Sequence, residues 1–387
     1  MAVCFSFSHR RAAASVCLFT LLWAAAAESF QCNSTGVTCS ALVDYASPNA
    51  TTLAAIQSLF NLPAFTSLLA ANRFSPSTPT TQNVSPGQTL KIPFPCICAN
   101  GTGVSNRIPV YTVVHGDSLY HIAAEVFSGL VTYQDIQRVN GIPDANKIEP
   151  GQKLWVPLPC SCGDVDGHKV VHYGYLVPNG STVDGIANQF GTTPDTLSTL
   201  NGLAGPNDLE AGAIIDVPLR ACDSMISNNS VDYPLLVPNG SYALTANDCV
   251  KCDCASANNW MLQCSPSQMK PTPNNTWRSC PSMNCQQGLL LGNTSSSSCN
   301  TCAYAGYSNQ SIFTTTAPIS TCSGSMELAS TGVSITVFNT LSDLFNIPLL
   351  GVATSFLAED IPKITEQVSV TGLQGIFRGI KKLHYIV

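Results

Sequence analysis

The chain has 387 residues, only 10% of them charged, and a formal net charge of −6 at pH 7. That length accommodates two to four small domains. An acidic chain with so few cations is a poor partner for nucleic acid, whose binding rests on neutralising phosphates, and its polar, largely uncharged surface suits a neutral ligand better than an ionic one.

Residues 1–27 read as a secretory leader. Arg10 and Arg11 form its basic start, an apolar run follows to Trp23, and Ala25-Ala26-Ala27 supplies the small residues before a cleavage site. Its removal takes away two positive charges, which brings the formal net charge to −8. Cys4 and Cys17 leave with it. Sixteen of the eighteen cysteines remain, an even number in an oxidising compartment, and are read as a disulfide framework. The spacings Cys249-x-x-Cys252 and Cys299-x-x-Cys302 also occur in zinc sites, but secretion favours cystines, so no metal or other cofactor is expected. Glycosylation triplets begin at Asn33, Asn49, Asn83, Asn100, Asn179, Asn228, Asn239, Asn274, Asn293 and Asn309, and each one used must lie on the surface.

Three segments then end alike: Ile92-Pro-Phe-Pro-Cys96-Ile-Cys98, Val156-Pro-Leu-Pro-Cys160-Ser-Cys162 and Val217-Pro-Leu-Arg-Ala-Cys222. The step from Cys96 to Cys160 is 64 residues and from Cys160 to Cys222 it is 62, so the first half is read as a unit used three times. The first copy, 28–98, is degenerate. It has a short strand at 42–45, helices at 52–60 and 64–71, an exit strand at 90–93, and a polar Ser/Thr/Pro linker at 75–87.

The middle copy, 109–158, is the clearest. A strand at 111–114 leads to Ser118, which can cap a helix carrying Leu119, Ile122, Ala123 and Val126 at helical spacing. Thr132 with Asp135 opens a second helix, which buries Ile136 and Val139 and stops at Asn140-Gly141. Pro150-Gly151 makes a turn into a returning strand at 153–157. The third copy, 173–219, repeats the plan: a strand at 175–177, a helix capped by Ser181 with Asp184, a second helix from Thr193-Pro194, and a closing strand at 214–218. A unit this small has little core, which accounts for the cysteines that flank it.

Residues 222–322 carry ten cysteines and no helical periodicity, and read as a cysteine-rich β/irregular domain. There, Leu236-Val-Pro-Asn-Gly-Ser241 echoes Leu176-Val-Pro-Asn-Gly-Ser181 and is taken as a recurring turn. The tail, 323–387, loses both cysteines and triplets. Its apolar stretch at 333–357 is interrupted by Asn339, Asp343 and Asn346, which argues against a membrane span.

The repeated strand–helix–helix–strand unit resembles the LysM module, a βααβ fold that binds N-acetylglucosamine polymers. Three units joined by Cys-x-Cys spacers and followed by a cysteine-rich region are similar to the plant LysM proteins with a glycolipid anchor. The fold class implied is α+β: tandem βααβ modules cross-linked by disulfides, then the cysteine-rich domain. The resemblance further implies the pairs Cys32–Cys98, Cys39–Cys162 and Cys96–Cys160. It also implies a role as a non-kinase surface receptor for chitin oligosaccharides or bacterial peptidoglycan in plant innate immunity, with a LysM receptor-like kinase as co-receptor and homo-oligomers forming on polymeric ligand. The family is held at the plasma membrane by its anchor. Here the last residues, 377–387, are broken by Arg378, Lys381 and Lys382 and do not read as an anchor signal, which leaves a soluble extracellular product in view.

In such modules sugar lies between the loop after the first strand and the loop before the last. In the middle copy these are His115, Gly116, Asp117, Ser118, Leu119, Tyr120 and His121 on one side, and Pro143, Asp144, Ala145, Asn146, Lys147, Ile148, Glu149 and Pro150 on the other. An acetamido group needs a donor, an acceptor and an apolar seat for its methyl. Loop backbone supplies the first two, and Leu119, Ile142 and Ile148 are candidates for the third, with core packing as the alternative for each. Alignment on Ile56, Ile122 and Ile186 sets His115 opposite Asn49 and Asn179. Glycans at those two asparagines would occupy the groove rims of copies one and three and leave the middle copy bare. His115 and His121, six apart with no cysteine nearby, read as surface residues rather than metal ligands.

Two other classes of function compete. A glycan hydrolase needs two carboxylates facing a cleft, and Asp117, Asp144 and Glu149 lie near the groove. Asp117 sits at a helix start, where capping explains it, and so small an open module encloses no sugar ring. The chain is therefore not expected to be an enzyme. A secreted glycan-binding scavenger that does not signal shares every feature above.

Overall fold

The computed structural model describes residues 30–32, 36–271, 277–285, 288–295 and 299–318. The leader, the tail with its apolar stretch, Asn33, Asn274 and Cys322 lie outside them.

The first copy contributes β1 (Thr38–Ala46), β2 (Thr51–Thr52), α1 (Leu53–Leu59), α2 (Phe65–Ala71), β3 (Asn83–Val84), β4 (Thr89–Ala99) and β5 (Thr102–Ser105). The second contributes β6 (Val110–Thr112), α3 (Leu119–His121), α4 (Tyr133–Val139) and β7 (Lys153–Trp155). The third contributes β8 (Val170–Leu176), α5 (Val183–Phe190), α6 (Pro194–Asn201) and β9 (Ile214–Arg220). The cysteine-rich region follows as β10 (Ser241–Thr245), β11 (Val250–Cys254), β12 (Gln263–Pro266), β13 (Thr294–Ser295), β14 (Asn300–Tyr307) and β15 (Ile312–Pro318).

The copies are not beads on a string. The first and third share a five-stranded sheet of order β5-β4-β1-β8-β9. Its central joint is a parallel pairing of β1 with β8, Leu42 against Tyr173 and Val43 against Gly174. A central strand covered on both faces loses the polar alternation of a surface strand; Ala41 to Tyr45 are all buried, Asp44 among them. Gly174 allows the close approach, since a Cβ there would lie 3.1 Å from Val43 and 3.2 Å from Ile214. The strands expected at 42–45 and 175–177 run instead over Thr38–Ala46 and Val170–Leu176, each paired along its length with the closing strand of its own copy, β4 or β9, while the joint between copies covers two residue pairs.

The first and second copies share a core instead. One buried cluster runs from Val43, Ile56, Phe60 and Leu68 of the first to Leu119, Ile122, Phe127, Ile136 and Leu154 of the second. Phe60 meets Phe127 edge to face at 5.6 Å, and Tyr45 meets Phe60 at 5.0 Å. Each aromatic contact of this kind adds roughly 0.5–1.5 kcal/mol beyond area burial. After α3 the helix widens into a π-type turn over Ile122–Val126, with the Phe127 N–H reaching back to the Ile122 carbonyl at 3.0 Å. That register releases the Val126 carbonyl, which accepts the Tyr45 hydroxyl at 3.1 Å.

Two disulfides clamp the same junction, Cys39–Cys162 and Cys96–Cys160, and Cys32–Cys98 closes the first copy. Gly103 on β5 lies against the Cys160 backbone so closely that a Cβ would fall 1.8 Å from that carbonyl oxygen. In the cysteine-rich region two three-stranded sheets form, β10-β11-β12 and β13-β14-β15. They are stapled by Cys222–Cys254, Cys249–Cys280, Cys252–Cys264 and Cys285–Cys302. Cys249, Cys252 and Cys302 are therefore in cystines, which removes the zinc alternative at those positions. Among the described residues no helix is long and apolar enough to cross a membrane.

Candidate ligand groove

All three copies close in the same way. An asparagine ends the second helix and clamps the last strand. The Asn140 amide donates to the Ile136 and Trp155 carbonyls, both at 2.8 Å, while its oxygen accepts the Trp155 N–H at 2.9 Å. Asn72 does this to Leu68 and Lys91, and Asn201 to Leu197 and Asp216. In the sequence Asn140 is visible only as a helix stop. The available signal was an asparagine at the end of the second helix in every copy.

The two loops of the middle copy are stitched together at their base. The Val113 N–H donates to the Gln152 carbonyl at 2.9 Å and the Gly151 N–H to the Val113 carbonyl at 2.8 Å. The same stitch joins Ser47 to Gln88 and Gly87, and Val177 to Ala213 and Gly212. Each first helix is then capped by a side-chain oxygen: Thr52 for Ala55, Ser118 for His121, and Thr182 for Gly185. In the third copy the cap is thus Thr182, one residue beyond the expected Ser181.

Within the first loop, Asp117 turns inward. Its side chain is 3% exposed. Its carboxylate accepts the Val114 N–H at 2.8 Å and the Tyr111 hydroxyl at 3.0 Å. Burial first, and then the hydrogen bond to Asp117 and its charge, push the Tyr111 phenol up to about 12. Asp117 therefore ties the loop and presents no carboxylate to a sugar. Leu119 as a whole residue is 1% exposed and belongs to the core. His115, Gly116, Ser118 and Tyr120 are exposed, and Gly116 holds a positive φ of 92° that the loop requires. His121 lies between Asp117 and Glu125 at 3.6 and 3.1 Å.

The second loop is organised around Asp144. This carboxylate accepts the Asn146 N–H at 3.0 Å and faces the Lys147 ammonium at 3.6 Å. Ile142 is 8% exposed, with its carbonyl held by the Gln137 amide at 3.0 Å. Ala145 and Ile148 are half-buried against the core and remain the loop's accessible apolar surface. Pro143, Asn146, Lys147, Glu149 and Pro150 are exposed.

The copies differ at the start of the first helix, where the opening N–H groups lack partners within the helix. In the first copy the chain's own linker takes them. The Leu53 N–H donates to the Gln82 carbonyl at 3.0 Å and the Ala54 N–H to the Thr80 carbonyl at 2.9 Å, while β3 pairs with β2 across the loop. The polar linker expected at 75–87 is a strap over its own groove. At the matching positions Leu119 and Tyr120, and Val183 and Asp184, no such bond forms among the described residues. Asn49 and Asn179 are both exposed, as are all eight described triplet asparagines.

The LysM domain model matches residues 111–157 and 175–218, which are the second and third copies. LysM domain-containing GPI-anchored protein 2 of Arabidopsis thaliana is 48% identical over 305 residues, covering 79% of this chain and 86% of that protein. Chitin elicitor-binding protein of Oryza sativa subsp. japonica is 42% identical over 292 residues, 74% of this chain and 80% of that protein. Chitin elicitor receptor kinase 1 of Physcomitrium patens is 26% identical over 152 residues, 39% of this chain and 23% of that protein.

Proposed function

This chain belongs to the plant family of LysM domain-containing proteins to which those relatives belong, and we propose that its middle module is the groove through which it captures N-acetylglucosamine polymers, chitin oligosaccharides or peptidoglycan, outside the cell. The observation that carries this reading is a pair of stitched loops whose main chain is uncharged and, at the exposed Tyr120, not already engaged. A backbone N–H, a loop carbonyl and the Ala145–Ile148 surface match an acetamido group, which offers an acceptor, a donor and a methyl. Asp117 and Asp144 serve their own loops, so the hydrolase reading lacks its pair of free carboxylates. We further propose that signalling passes to a LysM receptor-like kinase, and that long polymer gathers several copies, because linked shallow sites gain apparent affinity through effective concentration.

Gly116→Asn tests the groove with one change. It creates the triplet Asn-Asp117-Ser118 at the rim, and asparagine tolerates a positive φ. The glycosylated variant is expected to fold, with a stability loss of about 1 kcal/mol or less, and to lose chitin-oligomer and peptidoglycan binding by about tenfold or more. A folded, glycosylated variant that binds like the parent protein places the sugar elsewhere.

A further inference from the structure

A second cleft lies where the first module, the third module and the cysteine-rich region meet. Its volume is about 450 Å³, and its walls include Asp44, Arg73, Lys91, Tyr173, Tyr175 and Gly240. Neither groove loop of the middle module contributes to it.

The cleft is positive in an acidic protein. The Lys91 ammonium sits 4.9 Å from the centre of the Tyr173 ring and 6.0 Å from that of Phe190. Burial pushes its pKa down and the Asp44 charge pulls it back only in part. Arg73 follows the end of α2 at a positive φ of 56° and extends toward Gly240, one guanidinium nitrogen lying 4.0 Å from where a Cβ of that glycine would be. Neither cation forms a salt bridge among the described residues, whereas Lys147, Arg138, Lys169 and Lys251 each do. Asp44 does not fill the gap. One of its oxygens accepts the Tyr173 hydroxyl and the other the Leu176 N–H at 3.2 Å. Beside the two cations stands the half-exposed Tyr175, its ring braced edge to face on Phe190 at 5.0 Å.

Two cations outside any salt bridge among the described residues, next to a braced aromatic face, recognise an anion attached to a flat, partly apolar ring. Guanidinium and ammonium bond carboxylate oxygens more strongly than they bond neutral acceptors. We propose that this cleft is a second glycan subsite, separate from the middle-module groove, that binds a pyranose carrying a carboxylate. The carboxylate meets Arg73 and Lys91, and the sugar face lies on Tyr175. Two sources share that chemistry: the uronate of an acidic wall polysaccharide, and the free lactyl carboxylate of a muramic acid residue that carries no peptide. Chitin, being neutral, lacks the recognised group, so the cleft would distinguish acidic glycans from chitin where the middle groove reads only what they share.

The test uses the full secreted chain and three probes: tetragalacturonate, N-acetylmuramic acid and chitotetraose. Arg73→Gln and Lys91→Met are compared singly and together by calorimetric titration, with thermal melting as the folding control. Lys91→Met keeps the aliphatic stem on the tyrosine. At least one acidic probe should bind the parent protein, more weakly as salt rises, and lose about tenfold or more in the double variant while chitotetraose binding holds. Should the double variant not fold, Arg73→Gln, at an exposed position, is expected to lose about threefold alone. Galacturonate binding without muramic acid binding assigns the uronate, and the reverse assigns the lactyl carboxylate. Asn179 and Asn239 adjoin the lining residues Pro178 and Gly240, and binding that appears only after glycan trimming still supports the cleft. If neither acidic probe binds before or after trimming, or if the double variant binds as the parent does, the proposal is overturned. Glycosylated Gly116→Asn separates the two sites, since it should abolish chitotetraose binding and leave the acidic probe untouched.

Discussion

The first and middle modules are built from the same plan, and one covers the loop that the other leaves open. Both cap the first helix with a hydroxyl, stitch their loops at the base, and clamp the closing strand with an asparagine. The first lays its own linker over its groove, and it lends β1 to the third module and Phe60 to the core of the second. The middle module keeps its loops clear and pairs only β6 with β7. A repeat can lose the sequence signature of its site and become the member on which the others are assembled. The degenerate copy is the hub.

The sharpest way to break this comparison is at the seam. Gly103→Ala drives a Cβ into the Cys160 carbonyl, where the backbone of a disulfide-bonded residue cannot give way. The expected cost is on the order of 4–5 kcal/mol, enough to consume most of the stability of a small domain. Secretion yield and non-reducing electrophoresis should show loss of the folded, fully oxidised product. A correctly oxidised variant that retains sugar binding would mean that the hub is dispensable to the reader.

The sequence displayed the plan and concealed the hub, for a physical reason. Caps, turns and helix faces are local: Ser118, Thr132 with Asp135, Thr193-Pro194 and Gly191 each act within a few residues, so their chemistry is visible in order along the chain. The β1–β8 joint connects residues about 130 apart in sequence and is specified by nothing nearer than the shape of Gly174. The strap escaped notice because its bonds come from backbone, Gln82 and Thr80 acting through their carbonyls, in a segment whose side chains read as linker. The two loops proposed to line the groove were legible as loops. Which way a side chain points was not: Asp117 has the composition of a ligand and the geometry of a staple, and Leu119 lies wholly in the core.

The third module gives a milder test, through its buried pair. His172 lies on β8 with its Nδ1 2.8 Å from Asp216 and its Nε2 3.2 Å from the Gly163 carbonyl. Burial works to lower its pKa, but the Asp216 charge, the hydrogen bond to it and the Gly163 carbonyl outweigh burial and hold it above the ordinary histidine value. Protonated, the ring donates at both nitrogens and ties β8 to the chain just past Cys162. A raised pKa means that this contribution is complete below the unfolded value of about 6.5 and is lost as pH rises through the folded one. Its size should be on the order of 1–3 kcal/mol. The melting midpoint should therefore fall from about pH 6 upward, while His172→Gln, already weakened, should vary much less across that window. Hydrogen exchange should place the loosening in β8 and β9 and spare β6 and β7. A flat midpoint in the parent protein removes the charged tie.

The smallest effect distinguishes two ways of closing a groove. Asn49 and Asn179 occupy matching rim positions, so glycans at both would hide the first and third modules alike. Beneath Asn49, however, the Leu53 and Ala54 N–H groups are already bonded to the strap, whereas Val183 and Asp184 have no such cover among the described residues. With the middle groove blocked by glycosylated Gly116→Asn, Asn179→Gln should therefore restore weak oligosaccharide binding, gaining a few-fold over background. Asn49→Gln should restore none. Equal recovery at both asparagines would show that carbohydrate, rather than the chain's own backbone, closes the first module. Recovery at neither would show that an unobstructed loop is insufficient, and would give Lys147 and Ile148, which the third module replaces with Asp208 and Leu209, a larger share in recognition than the exposed N–H groups.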